Sequence, residues 1–293
     1  MKPRIVDFLN QYFHSGIFSF LIPDPAVVYS IMLGAGAFLF IKRCGKISLS
    51  RYHASGIAIW ASVAALLGAR IFYLIQNIGY TLSHPSILFE INGATVSFGV
   101  YTGGMLGAFL YCRYFNLNPW NYMDTAVSVL GIGPLIGRMS CFLNGDDYGT
   151  LSHLPWAVRF PHGSYPFISQ VQNGWLDPAQ DLSLPVHPVQ LYGCLKGMIL
   201  LIVFSVLWRK RLFRPGVLFF LFFMAYSVCR FILEYFRGDD ERGWVGSLST
   251  GQFMSVVLFS TAALCILLIY RLKFLNRVPA GFSPEVLAGE DKL

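Results

Sequence analysis

Long runs of apolar residues alternate with short polar stretches along most of this chain. A helix needs about 20 apolar residues to cross the hydrocarbon core of a bilayer. Seven runs approach or exceed that length, at residues 26–42, 55–76, 95–114, 122–143, 189–208, 216–236 and 251–271. Because backbone groups in lipid must hydrogen-bond within the chain, the runs predict an all-α membrane protein with about seven transmembrane helices.

The third and fourth runs differ from the others in being rich in glycine. They contain the stretches GVYTGGMLG and GIGPLIG. Glycine in a membrane helix permits close approach of a neighbouring helix, or marks a place where the helix is broken. The sequence leaves both alternatives open for each run.

The longest connection, residues 144–188, separates the fourth and fifth runs and is rich in Pro, Gly, Ser and aromatic residues. A connection of that length usually has structure of its own, so we predict a small folded head. The other predicted segments are an N-terminal interfacial segment at 1–25, the first four transmembrane helices at 26–143, the last three at 189–273 and a disordered cytoplasmic tail at 274–293.

Composition and charge support a membrane location and set an orientation. Only 13% of the residues are charged and 55% are hydrophobic, whereas soluble domains carry about 25% charged residues. Thirteen lysines and arginines fall in one alternate set of connections and five in the other. Since cytoplasmic loops keep the positive charge, the N-terminus and the head are predicted outside and the C-terminus inside. Topology thereby explains the net charge of +7, and no nucleic-acid partner is expected.

The metal-binding residue types show no organised spacing. The six cysteines are scattered without a C-x-x-C pair, and the six histidines lack an H-x-x-x-H spacing. Neither a disulfide framework nor a metal site is expected.

Four cations lie inside the apolar runs: Arg70, Arg138, Lys196 and Arg230. An arginine near the middle of a membrane helix costs about 2.5 to 3.5 kcal/mol, so such residues usually face a polar interior and serve function. Arg138 and Arg230 both fall near the outer ends of their runs. Two guanidinium groups from different helices can bind the oxygens of one phosphate through paired hydrogen bonds.

A second interpretation of these arginines stays open. Tyr226, Arg230, Glu234 and Arg237 follow one another at i, i+4, i+8 and i+11, on one stripe of a helix. Arg230 and Glu234 would then neutralise each other, and Arg237 would extend to the surface. In the same way, Arg138 would pair with an aspartate of the polar turn that follows it, Asp146 or Asp147.

The remaining polar residues of the runs have simpler expected roles. Arg70, with Tyr73 at i+3, is expected to hold helices together. Lys196 is expected to extend its ammonium toward lipid headgroups. His187, followed by Gln190 and Tyr192, is either a general base or a hydrogen-bonded structural histidine.

Taken in order, these motifs resemble those of bacterial prolipoprotein diacylglyceryl transferases. GRMSCFLNGDDYG is similar to the family signature G-R-x-[GA]-N-F-hydrophobic-N-x-E-x-x-G, HPVQLY to H-P-S-Q-L-Y, and YSVCRFILEYFR to Y-x-x-x-R-x-x-x-E-x-x-R. The similarity runs in order from about residue 24 to about residue 270.

The resemblance implies transfer of a diacylglyceryl group from phosphatidylglycerol to the lipobox cysteine of a prolipoprotein, at the bacterial inner membrane and without a cofactor. It implies that Arg138 and Arg230 are the essential phosphate-binding residues. The other residues that it places at the site are Tyr29, Thr102, Asn144, Gly149 and Tyr226, with Arg70, Asp146, His187, Gln190, Tyr192, Glu234 and Arg237 in supporting positions.

The chain departs from the family pattern at several positions, of which Thr102 matters most. It stands where the family has a histidine that is assigned to activating the thiol. Ser140, Cys141 and Gly193 are further changes. Either the arginines' field suffices to activate the thiol, or His187 or Asp146 replaces the histidine, or the activity has shifted. A shifted activity would be a transferase with another acceptor, and a less favoured alternative is an anion or lipid transporter.

Overall fold

A computed structural model describes residues 25–84, 86, 97–239 and 243–272. Helices dominate these residues, and the chain divides into two compact units. The helices are α1 (Pro25–Gly45), α2 (Arg51–Gln76), α3 (Ile78–Ser83), α4 (Ser97–Tyr114), α5 (Pro119–Leu130), α6 (Ile132–Asn144), α7 (Tyr165–Gln172), α8 (Val189–Lys210), α9 (Val217–Glu234) and α10 (Thr250–Leu272). Two short antiparallel strands, β1 (Trp244–Val245) and β2 (Leu248–Ser249), precede α10.

The helices fall where the apolar runs predict them. Within the described residues, five segments are long and apolar enough to cross a membrane: Arg51–Ile75, Pro119–Asn144, Val189–Lys210, Val217–Glu234 and Thr250–Arg271. The prediction of a predominantly helical membrane protein is confirmed to this extent, and the number seven stays a prediction. The predicted interfacial segment, up to residue 24, and the predicted tail lie outside the described residues.

The glycines of the third run pack closely against α2, and the helix is continuous. In one of the two units, α4 lies along α2, with Gly99 and Gly103 facing Gly68. A side chain at Gly103 would collide with α2, since its Cβ would overlap the carbonyl oxygen of Ala64 and lie 3.1 Å from the Cα of Gly68. Small residues at such a contact let the backbones approach, which is how membrane helices associate.

The fourth run is broken at Gly131, where α5 ends and α6 begins. The amide of Leu135 donates to the carbonyl of Gly131 at 3.2 Å, which starts the new helix. Pro134 stands in the first turn of α6, where its missing amide hydrogen leaves no bond unmade. Gly131 also packs closely against α8, since a Cβ there would lie 2.5 Å from the carbonyl oxygen of Gly197. The third run therefore shows close packing alone, and the fourth shows both close packing and a break.

A glycine ends α6 and directs the chain into the polar turn. Gly145 adopts a left-handed conformation with φ of 75°, and its amide and that of Asp146 both donate to the carbonyl of Cys141. This arrangement satisfies the last carbonyls of the helix. Asp147, with φ of 50°, is also left-handed, so two of the three residues that follow α6 have this conformation.

The connection between α6 and α8 is folded around buried residues of its own. Phe160, Phe167 and Val186 are each at most 3% exposed. Gln170 of α7, also buried, accepts the amide of Leu184 at 2.7 Å. Beyond α8, α9 packs against both α8 and α10, so α6, α8, α9 and α10 surround the site described next.

Candidate active site

Arg138 reaches the site from α6 across the surface of α8. A Cβ at Gly193 of α8 would lie 2.8 Å from the Cγ of Arg138, so the absence of a side chain there makes room for the arginine's stem. The Nη1 of Arg138 donates to Oδ2 of Asp147 at 2.5 Å. The side chain of Arg138 is 25% exposed, which leaves part of it accessible.

Arg230 reaches the same region from α9. Its Nη2 lies 3.0 Å from Oε2 of Glu234, one turn further along the helix. Glu234 is 3% exposed, whereas the side chain of Arg230 is 22% exposed. The hydroxyl of Ser249 donates to the other carboxylate oxygen of Glu234 at 3.1 Å.

The two arginines come together. Arg138 and Arg230 lie close enough to repel each other, and both attract Asp147. The sequence-based expectation that guanidinium groups from the fourth and sixth runs converge agrees with this placement. Their predicted roles in binding phosphate stay predictions.

Internal ion pairing, the second interpretation from sequence, also occurs. Arg138 pairs with Asp147 rather than Asp146, and Arg230 pairs with Glu234. Each of these salt bridges uses one terminal nitrogen, although a guanidinium has five N–H donors. Ion pairing and the binding of an anionic substrate are therefore compatible here.

The expectation that Arg237 extends to the surface is wrong. Its side chain is only 10% exposed and forms salt bridges with Asp147 and Asp239. The guanidinium holds Asp239 through both Nε at 2.8 Å and Nη2 at 2.6 Å. Burial alone would lower the pKa of Arg237, but the two aspartates outweigh it and raise that pKa. Two carboxylates thus compensate a charge that would otherwise stay at the surface.

Asp147 connects Arg138 of α6 with Arg237, which follows the end of α9. One carboxylate oxygen accepts from Arg138 and the other from Arg237. Burial would raise the pKa of Asp147, but the two arginines outweigh burial and lower it. This aspartate therefore stays ionised and links the end of α6 to the end of α9.

Backbone pairing strengthens the same link. Gly149 pairs with Arg237 as an isolated antiparallel bridge, in which the amide of Gly238 donates to Tyr148 at 3.0 Å and that of Thr150 donates to Phe236 at 2.9 Å. A Cβ at Gly149 would lie 2.6 Å from the Cβ of His187. Only glycine fits at this crossing.

His187, Gln190 and Tyr192 lie together at the start of α8. Gln190 is fully buried, and its Nε2 donates to the carbonyl of Asp146 at 2.7 Å. The hydroxyl of Tyr192 accepts from Trp156 Nε1 at 2.8 Å and lies 3.3 Å from Nδ1 of His187. These contacts favour the structural alternative for His187 over the catalytic one.

Asp146 has an environment opposite to that of Asp147. Its Oδ1 is buried, and none of the described residues donates a hydrogen bond to it. Burial, followed by repulsion from Asp147, raises the pKa of Asp146 from 3.8 to about 6. A carboxyl with this pKa changes its protonation state close to physiological pH.

We expect Asp146→Asn to change how stability depends on pH. Between pH 3.8 and about 6 the folded protein holds this proton more tightly than the unfolded chain, so the free energy of unfolding falls as pH rises through that window. Asp146→Asn removes this contribution. Thermal unfolding midpoints in detergent, measured at several pH values, should show the substitution becoming more favourable toward pH 6. The matched control is Asp181→Asn, at an exposed aspartate of the same connection. A difference between wild type and Asp146→Asn that is constant with pH contradicts the assignment.

The expectation that Lys196 extends toward headgroups is also wrong. Lys196 is 8% exposed, and its ammonium lies 4.2 Å from the ring centroid of Tyr226. Lys196 stands three residues after Gly193, which faces α6, and its ammonium reaches α9. It lies close enough to Arg138 and Arg230 to be repelled by both.

The other predicted residues are placed as follows. Asn144 is the last residue of α6 and is half-buried. Arg70 and Thr102 belong to the other compact unit; the guanidinium of Arg70 lies 5.6 Å from the ring of Tyr73, and Thr102 donates to the carbonyl of Gly99 at 3.4 Å. Tyr29 lies in α1, but its side chain is outside the described residues.

Sequence reasoning missed the support at the start of α10. Ser249 and Gln252 form a capping box: the amide of Gln252 donates to the Ser249 hydroxyl at 3.2 Å, and the amide of Ser249 donates to Oε1 of Gln252 at 3.1 Å. The pattern S-T-G-Q before an apolar run was the available signal. The capping hydroxyl is the one that holds Glu234.

The arrangement suits an anion more than a metal. In the described part of the chain, no group of three or more His, Cys, Asp or Glu side chains is placed to hold a metal ion. Two partly exposed guanidinium groups, held by the carboxylates of Asp147 and Glu234, can instead donate hydrogen bonds to the oxygens of a phosphate.

Known proteins are similar in sequence to this chain over most of its length. A model of the prolipoprotein diacylglyceryl transferase family matches residues 17–269. Phosphatidylglycerol--prolipoprotein diacylglyceryl transferase of Clostridium tetani is 29% identical over 241 residues, covering 82% of this chain and 90% of the relative. The Campylobacter jejuni protein of that name is 28% identical over 269 residues, with coverage of 86% and 91%. The Nitrobacter hamburgensis protein is 30% identical over 256 residues, covering 82% of each chain. The resemblance drawn from the motifs is confirmed, and this chain belongs to the prolipoprotein diacylglyceryl transferase family.

Proposed function

We propose that this protein transfers the diacylglyceryl group of phosphatidylglycerol to the lipobox cysteine of prolipoproteins. The thiolate attacks the glycerol carbon that carries the phosphodiester oxygen, a C–S bond forms and that C–O bond breaks. The thiol proton is released, and the phosphate leaves with its own glycerol as glycerol phosphate. The product is a thioether that carries two acyl chains.

The observation that carries this proposal is the convergence of Arg138 and Arg230 in a chain of this family. Negative charge grows on the phosphate as the C–O bond breaks. Fixed donors at that position stabilise the transition state more than the substrate, which is what accelerates a reaction. Asp147 and Glu234 hold the two guanidinium groups in place before substrate arrives.

The direct test uses the purified full chain with phosphatidylglycerol and a lipobox peptide. Mass spectrometry should detect the diacylglyceryl thioether, together with glycerol phosphate in equal amount. Turnover of the phospholipid without thioether would favour a transferase with another acceptor. Passage of anions across vesicles without any turnover would favour a transporter.

For the arrangement in the membrane, we propose seven spans with the N-terminus outside, the folded 144–188 connection outside and the C-terminus in the cytoplasm of a bacterial inner membrane. The distribution of positive charge supports this orientation. Single cysteines at exposed positions, such as Trp175 in the connection and Leu212 between α8 and α9, should label from opposite sides. Labelling of both from the same side refutes the orientation.

The family histidine gives a separate prediction at Thr102. We expect Thr102→His to insert normally and to keep or raise turnover, because it restores the residue that the family uses to activate the thiol. Turnover measured from pH 6 to 9 checks this, with Thr102→Gln as the control for added bulk. A folded but inactive histidine variant would show that this protein activates the thiol in a pocket rebuilt around the smaller side chain.

A further inference from the structure

Lys196 is the buried cation near the two arginines that the proposed function does not yet use. It extends from α8 on the face that carries Gly193, three residues earlier, over which the stem of Arg138 passes. Its ammonium lies on the ring of Tyr226, one turn of α9 before Arg230. Lys196 therefore stands between the two helices that supply the arginines.

Lys196 takes part in none of the salt bridges that the surrounding arginines form. Each of the three arginines in this region is within salt-bridge distance of at least one carboxylate. None of the described carboxylates is within that distance of Lys196, although its residue surface is only 8% exposed. The Tyr226 ring attracts a cation through its quadrupole but carries no net charge.

An uncompensated buried ammonium is costly, and lysine is rarely so buried unless it is paired. The nearby arginines add to that cost, because they repel Lys196. None of the described carboxylates pairs with Lys196 where it approaches Arg138 and Arg230, so an anion bound there would compensate its charge. A phosphodiester supplies a single negative charge and several acceptor oxygens.

We propose that Lys196 is a third cationic ligand of the phospholipid phosphate, alongside Arg138 and Arg230. The inference rests on the proposed function, since it assumes that the phosphate of the lipid substrate enters this cluster. The lysine supplies a point charge on a flexible stem, whereas the arginines supply planar paired donors. The three groups would surround the phosphate from α6, α8 and α9.

The test measures binding of dioctanoyl phosphatidylglycerol to the full-length protein in detergent. Lys196→Met keeps an unbranched apolar side chain that is one heavy atom shorter, and removes the charge. We expect its Kd to rise at least about tenfold, as for loss of one charge-assisted hydrogen bond. Lys196→Arg should stay within about threefold of wild type. Lys210→Met, at an exposed position near the end of α8, should bind as wild type does.

Kinetics with a lipobox peptide give a second readout. In Lys196→Met the KM for phosphatidylglycerol should rise while the KM for the peptide stays unchanged. Unchanged lipid binding in Lys196→Met overturns the inference, even if turnover slows. So does an equal rise in Kd for the methionine and arginine variants, because shape rather than charge would then be limiting.

The outcomes separate this inference from the proposed function. If the wild type forms the thioether but the Kd for the lipid is the same in wild type and Lys196→Met, the inference alone is refuted. Lipid binding that depends on Lys196, in a wild-type protein that forms no thioether, refutes the proposed function alone.

Discussion

Replacing Arg138 or Arg230 by lysine should lower kcat/KM for phosphatidylglycerol by about 100-fold or more while the protein still folds and inserts. Removing one fixed donor from a site of developing negative charge typically costs about 100- to 1000-fold in rate. A lysine keeps the charge but cannot hold its carboxylate partner and a phosphate oxygen in the same plane. The measurement is thioether formation at varied lipid concentration by purified variants.

The matched control is Arg209→Lys, at an exposed arginine near the end of α8, which should leave kcat/KM unchanged. Thermal unfolding midpoints identify any variant whose activity falls through misfolding. If either Arg138→Lys or Arg230→Lys keeps more than about a third of wild-type activity, its guanidinium takes no part in the chemistry and serves the ion pairs alone.

The positions of the helices could be predicted because length and apolar content decide them. The fate of the two glycine-rich runs could not, since glycine permits both close packing and a break. Both Gly103 and Gly131 face the backbone of a neighbouring helix, but Gly131 is also followed by Pro134 in the first turn of a new helix. The sequence of a run reveals neither which helix will pack against it nor which of its backbone hydrogen bonds will form.

The two arginines of the site could be predicted because charge in an apolar run is conspicuous. The partner of Arg138 could not, because Asp146 and Asp147 are adjacent in sequence. Left-handed conformations at Gly145 and Asp147 decide which carboxylate turns back toward α6. The prediction that Lys196 extends toward headgroups was wrong for a related reason. Hydropathy indicates how long a helix is, but it does not indicate which face of the helix is buried.

The residues behind the site carry no charge signal and so were hard to find. Gly193 is visible in sequence only as a departure from the family pattern, yet it is what admits the stem of Arg138. The sequence around Ser249 is that of an ordinary helix cap, yet the Ser249 hydroxyl also donates to the carboxylate of Glu234, which pairs with Arg230. Support of this kind depends on contacts between distant segments, which one sequence does not reveal.

Glu234→Ala should lower the free energy of unfolding by about 3 kcal/mol or more, because it leaves Arg230 partly buried without its partner. The carboxylate of Glu234 is 3.0 Å from Arg230 and accepts from Ser249 at the start of α10, so the substitution disturbs both an ion pair within α9 and the contact of α9 with the start of α10. Glu234→Gln keeps an acceptor for Ser249 and removes only the charge, so it should lose less. The measurement is reversible unfolding in mixed micelles.

A double substitution separates the ion pair from the rest of this support. Exchanging both members of a buried pair for apolar residues is often close to neutral, whereas removing one member is not. Glu234→Leu with Arg230→Met should therefore recover much of the stability that Glu234→Leu alone loses, while turnover stays abolished because the guanidinium is absent. A thermodynamic cycle over the four proteins gives the coupling between the two side chains. If the double variant is as unstable as Glu234→Leu alone, then the loss arises from the Ser249 contact and not from an unpaired arginine.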